Sequence, residues 1–92
     1  MFKTLEELIT IIRQRKDSSG KESYTKKLLN DKKLSVEKVK EEIAELIDSI
    51  EKNSNKIHEA ADVFYHLIVL LEANGIKIED VMNELKKRQK TK

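Results

Sequence analysis

The chain has 92 residues, enough for one small domain, and no cysteine, which excludes disulfide frameworks and zinc–thiolate sites and suits a reducing, cytoplasmic setting. Charged residues make up 39% of it yet nearly cancel to a net charge of +2, so the surface is mixed rather than a nucleic-acid-binding one. The longest uncharged stretch, Val63 to Leu71, is too short to cross a membrane, and the N-terminal residues lack the apolar core of a signal peptide.

Proline is absent, glycine stands only at positions 20 and 75, and strand-like alternation is missing, so a single all-α domain over residues 1–92, a bundle of about five helices, is expected. The first helix is predicted from about Thr4 to Lys16, with Thr4 as N-cap, Glu7 completing a capping box, and Leu5, Leu8, Ile9 and Ile12 as its apolar stripe. Asp17 to Gly20 then reads as a loop. A short second helix covers Tyr24 to Asn30, capped by Ser23, with Leu28 and Leu29 as its core residues. Asp31, Lys32 and Lys33 read as a connection, and Ser35 as the N-cap of the third helix. There Val36, Val39, Ile43, Leu46, Ile47 and Ile50 recur at helical spacing as a core face centred on Ile43.

The fourth helix is expected from Lys56 to Asn74, with Gly75 just past its end. From Ala60 to Leu71 only Asp62, Tyr65 and His66 carry polar atoms, so this helix needs cover on nearly all sides. Five short helices do not supply it, and the economical partner is a second copy of the chain, a homodimer in which Val63, Phe64, Leu67, Ile68 and Leu71 are covered. The last helix runs from about Ile78 to Lys87, with Val81, Met82 and Leu85 inward; its basic end, Lys86, Lys87 and Arg88, suits the negative pole of the helix dipole.

Two acidic clusters stand out, Glu41-Glu42-x-x-Glu45 on the third helix and Glu59-x-x-Asp62 on the fourth. At about 100° per residue, Glu42 lies at the edge of the core face with Glu45 one turn on, while Glu41 and Asp48 point toward solvent. Glu59, Asp62 and His66 share one stripe. If the two helices pack antiparallel, Glu42 and Glu45 face Glu59 and Asp62, and such a crowd of carboxylates is held together by cations. Oxygen donors without cysteine favour Mg2+, with Mn2+ as the alternative. The ordinary reading is exposed acidic helices paired with Lys38, Lys40 and Lys52. His66 either hydrogen-bonds the Asp62 carboxylate or is satisfied in a dimer core, and His58 reads as a surface residue.

The two clusters together resemble the all-α nucleoside triphosphate pyrophosphohydrolase (MazG-like) superfamily. Within it, Ser23-Tyr24-Thr25, the run Lys38 to Glu45, the run Glu59 to Leu67 and the segment Gly75 to Leu85 are similar to the phosphoribosyl-ATP pyrophosphatase family of histidine biosynthesis, which usually has glycine where this chain has Lys40. The resemblance implies hydrolysis of a nucleotide, phosphoribosyl-ATP, to phosphoribosyl-AMP and pyrophosphate by a cytoplasmic, magnesium-dependent homodimer. It implies Glu42, Glu45, Glu59 and Asp62 as metal ligands. Glu41 is then a ligand, a group behind the ligands or the base that orients water, with Glu42 and Glu45 the other catalytic candidates. Ser23, Tyr24, Thr25, Lys38 and His66 are substrate-binding candidates, and Arg13, Lys26 and Lys27 are further cations for phosphate. The rivals are a housecleaning hydrolase of nucleoside triphosphates and a catalytically silent helical dimerisation module.

Overall fold

The computed structural model describes residues 2–17 and 23–90. They form five helices, α1 (Lys3–Asp17), α2 (Tyr24–Asn30), α3 (Lys32–Lys52), α4 (Lys56–Ala73) and α5 (Ile78–Gln89), with no strand among the described residues. The loop expected at Ser18 to Gly20 lies outside the described residues.

Local chemistry sets most of the helix ends. At the start of α2, Ser23 is extended and its side chain accepts from the Lys26 N–H at 3.1 Å. After α4, Gly75 takes φ +70°, and the Gly75 and Ile76 N–H groups return to the carbonyls of Glu72 and Leu71. Between α3 and α4, Asn53 and Asn55 both adopt φ 54°, a left-handed setting that asparagine tolerates, so the chain reverses within a few residues. The resulting antiparallel α3–α4 hairpin is the most extensive helix pair in the fold.

Two expected caps are displaced. Helix α1 already includes Thr4, and its first turn is closed by the Glu6 N–H on the Phe2 carbonyl, so the Thr4–Glu7 capping box does not form. Ser35 does not cap α3. Asp31 ends α2 and starts α3, its carboxylate accepting from the Leu34 N–H at 3.0 Å. Ser35 lies one turn inside, buried, and donates its hydroxyl to the Leu28 carbonyl at 2.6 Å. Lys32 and Lys33 therefore belong to α3, and the connection shrinks to a single residue.

The core joins Ile12 of α1, Leu28 and Leu29 of α2, and Ile68 and Val69 of α4, flanked by Leu5, Leu8, Ile9, Leu34, Tyr65, Ala73 and Ile78. Ile68 is thus buried by the chain itself and needs no partner. Helix α5 docks through Ile78 while Met82 and Leu85 are exposed, against the inward placement expected of them.

The face of α3 is also rotated from its expected setting. Its inward stripe is Ser35, Val39, Glu42, Leu46 and Ser49, whereas Val36, Ile43, Ile47 and Ile50 are exposed. On α4, Ile57, Phe64 and Leu67 are likewise exposed. Burial of Glu42 in place of Ile43 brings the acidic residues into the hairpin.

Candidate active site

Helix α3 carries Glu42 and Glu45 one turn apart, and α4 brings Glu59 opposite them; one carboxylate oxygen from each lies within 4.8 Å of the others. Glu42 and Glu59 are partly buried and Glu45 is exposed. Oε2 of Glu42 and Oε2 of Glu59 are buried and meet no hydrogen-bond partner among the described residues. Burial, followed by the charge of Glu45, raises the Glu42 carboxyl above its usual range. Burial and Glu45 do the same to Glu59. A polar cleft of about 320 Å³, lined by Glu45, Asp48, Ser49, Ser54, Asn55 and Glu59, opens toward the hairpin turn.

Asp62 stands one turn beyond Glu59, and the two carboxylates form a second group with His58, again within 4.8 Å. The side chain of His58 is exposed as expected, but its Nε2 lies 3.4 Å from Asp62 Oδ2. Sequence reasoning passed over this neighbour, although the i, i+4 spacing from His58 to Asp62 was its available signal.

Glu41 is not in either group. It faces solvent and accepts from Lys38 Nζ at 3.2 Å, a contact that raises the Lys38 ammonium above its ordinary value. Asp48 also faces outward and pairs with Lys52 at 3.1 Å.

The remaining candidates form a wall beside the carboxylates. The Tyr24 and Tyr65 rings stack 6.5 Å apart, and His66 stands edge-on to both. His66 does not bond to the Asp62 carboxylate within the chain. Its Nδ1 meets the Asp62 main-chain carbonyl at 2.8 Å and its Nε2 the Tyr24 hydroxyl at 2.9 Å. A carbonyl only accepts, so Nδ1 carries a proton and donates to Asp62, while Nε2 shares a hydrogen bond with the Tyr24 hydroxyl. His66 is 8% exposed, and both its ring nitrogens are engaged within the chain. Thr25 and Tyr65 join their hydroxyls, and Ser23 is taken up by its cap. Tyr24 is half-exposed; burial raises its phenol, opposed by the charge of Lys38.

Arg13 is committed elsewhere. Its guanidinium grips Glu72 at 3.0 and 3.1 Å and Glu79 at 2.9 and 2.7 Å, tying α1 to α4 and α5. A mostly apolar concavity of about 570 Å³ lies between α1 and α5 around Phe2, Leu5, Ile9, Ile78 and Met82, and holds none of the crevice carboxylates.

The five helices form an all-α domain with a carboxylate-lined hairpin, and the sequence comparisons place it in the pyrophosphohydrolase class. The sequence pattern of phosphoribosyl-ATP pyrophosphohydrolase matches residues 5–89, and the chain belongs to that family. It is 44% identical over 92 residues to the phosphoribosyl-ATP pyrophosphatase of Clostridium novyi, covering 94% of this chain and 81% of that protein. With the phosphoribosyl-ATP pyrophosphatase of Pyrobaculum arsenaticum the identity is 39% over 94 residues, 96% of this chain and 97% of the other. The chloroplastic histidine biosynthesis bifunctional protein hisIE of Arabidopsis thaliana is 44% identical over 93 residues; these cover 92% of this chain but only 33% of that protein. A bifunctional HisIE protein of Pyrococcus furiosus is covered to 41% of its length, so the chain spans well under half of these bifunctional relatives.

Proposed function

We propose that this chain hydrolyses phosphoribosyl-ATP between its α- and β-phosphates, releasing pyrophosphate and phosphoribosyl-AMP, as a cytoplasmic, homodimeric enzyme of histidine biosynthesis. The observation that carries this reading is the gathering of Glu42, Glu45 and Glu59 in one crevice of a chain whose family acts on this nucleotide.

The donor set fits a hard divalent cation, Mg2+ or Mn2+: the oxygens are carboxylate oxygens, and two of them are buried without a partner. Glu42, Glu45, Glu59 and Asp62 would hold it. When bound, such an ion supplies neutralisation of phosphate charge and a more acidic water. Glu42 and Glu45 face into the crevice and Glu41 faces outward, so a proton released in the crevice would pass to Glu42 or Glu45 before Glu41. Lys38 flanks the crevice and offers its ammonium to the phosphates, and Tyr24, held by His66, offers its hydroxyl oxygen to the nucleotide. The homodimer is supported by the exposed apolar residues of α3 and α4, Ile43, Ile47, Ile50, Phe64 and Leu67 among them, which one more copy of the same hairpin would cover.

The test is pyrophosphate release from phosphoribosyl-ATP, with and without Mg2+, beside a panel of nucleoside triphosphates. Magnesium-dependent turnover of phosphoribosyl-ATP with the panel slow is expected. Faster turnover of the panel would move the chain to nucleotide housecleaning, and no turnover of either would leave a silent helical module.

A further inference from the structure

His58 has the features of an ordinary surface residue, with 73% of its side chain exposed, yet its ring leans over the crevice. Its Nε2 stands 3.4 Å from Asp62 Oδ2 and 3.9 Å from Glu59 Oε1. A simple i, i+4 pair explains the contact with Asp62. Glu59, the neighbour of His58 in sequence, belongs also to the Glu42–Glu45–Glu59 group, and its other carboxylate oxygen, Oε2, is buried without a hydrogen-bond partner among the described residues. Donors bound about 2.1 Å from one ion lie about 3 Å apart in adjacent positions and about 4 Å apart in opposite ones. Both His58 distances fall in that interval. The first turns of α4 hold all three residues, so the helix alone sets their spacing.

We propose that His58 donates an imidazole nitrogen to a divalent cation held with Glu59 and Asp62, giving this chain a mixed nitrogen–oxygen position that favours Mn2+ over Mg2+. An all-oxygen set suits Mg2+, whereas an imidazole adds affinity for first-row transition ions. The proposal rests on the reading that the carboxylates hold a cation.

The full chain, prepared with natural-abundance and with 15N-labelled histidine, is titrated with Mn2+ and examined by electron spin-echo envelope modulation. A histidine nitrogen coupling that changes with the label and disappears in His58→Ala is expected. That variant should lose about tenfold in Mn2+ affinity and less than about twofold in Mg2+ affinity. Bound Mn2+ with no histidine coupling, or a coupling that survives His58→Ala, would overturn the role of His58 and leave the carboxylate site standing. Absence of Mn2+ binding by the unaltered chain would overturn both.

Discussion

Glu42 of α3 and Glu59 of α4 face one another across the hairpin, each with a buried carboxylate oxygen that no donor reaches among the described residues. Such crowding opposes folding unless a cation offsets the charge. Glu59→Gln and Asp62→Asn are therefore expected to lower phosphoribosyl-ATP turnover at least about 100-fold while leaving the melting temperature of the metal-free protein unchanged or higher. Parallel activity and circular dichroism measurements check this, and unchanged turnover in both variants would refute the enzyme reading.

The pH dependence has two limbs of opposite sign. Glu42 and Glu59 titrate higher in the folded chain than in the unfolded one, so their penalty is full when ionised and is relieved as pH falls through their raised values. Glu79, pulled down to about 2 by Arg13, contributes stability that is full above its ordinary 4.5 and lost on acidification toward about 2. In a chelator, melting temperature is expected to rise as pH is lowered from neutrality through the raised ranges of Glu42 and Glu59, then fall below the ordinary 4.5 of Glu79. Saturating Mg2+ should flatten the first limb. A steady fall from neutral pH in chelator would contradict the repulsion in the crevice.

Arg13→Ala strands the Glu72 carboxylate, 9% exposed, without its bidentate partner. The expected loss is about 2 kcal/mol by urea denaturation, below the figure for a fully buried pair because Arg13 itself is 37% exposed. Arg13→Lys should recover only part of it, since an ammonium does not reproduce the fork. Turnover per folded molecule should be unaffected, the cluster lying outside the crevice.

Leu67→Glu tests the apolar face of the hairpin. Leu67 is 41% exposed in the single chain, so a monomeric protein would accept the charge with little effect. Aggregation, unfolding or loss of the dimer in sedimentation velocity is expected. A folded, active monomer would refute the homodimer.

The helix count, the Ser23 cap, the Gly75 turn and the core positions Ile12, Leu28 and Leu29 are legible because each depends on chemistry within a few residues. Ser35 and Thr4 misled because any serine or threonine near a helix start looks like a cap. Choosing Asp31 over Ser35 required knowing that the Leu28 carbonyl would take the Ser35 hydroxyl. Periodicity found the apolar stripe around Ile43 and set Glu42 at its edge, opposite the carboxylates of the fourth helix, but does not say which stripe faces the same chain. Arg13 read as a cation for phosphate because its partners, Glu72 and Glu79, become neighbours only through tertiary geometry; His58 is on the surface as read, and its contact with Asp62 comes from helical geometry.

The two stripes of α3, one through Val39, Glu42 and Leu46 and the other through Ile43, Ile47 and Ile50, differ by a rotation of about 100°. Turning α3 by one residue would exchange the partly buried Glu42 for isoleucines. A second copy covering the isoleucines removes that alternative. On the homodimer reading, association and a competent crevice are one equilibrium, and dilution would dismantle the site before it unfolds the helices.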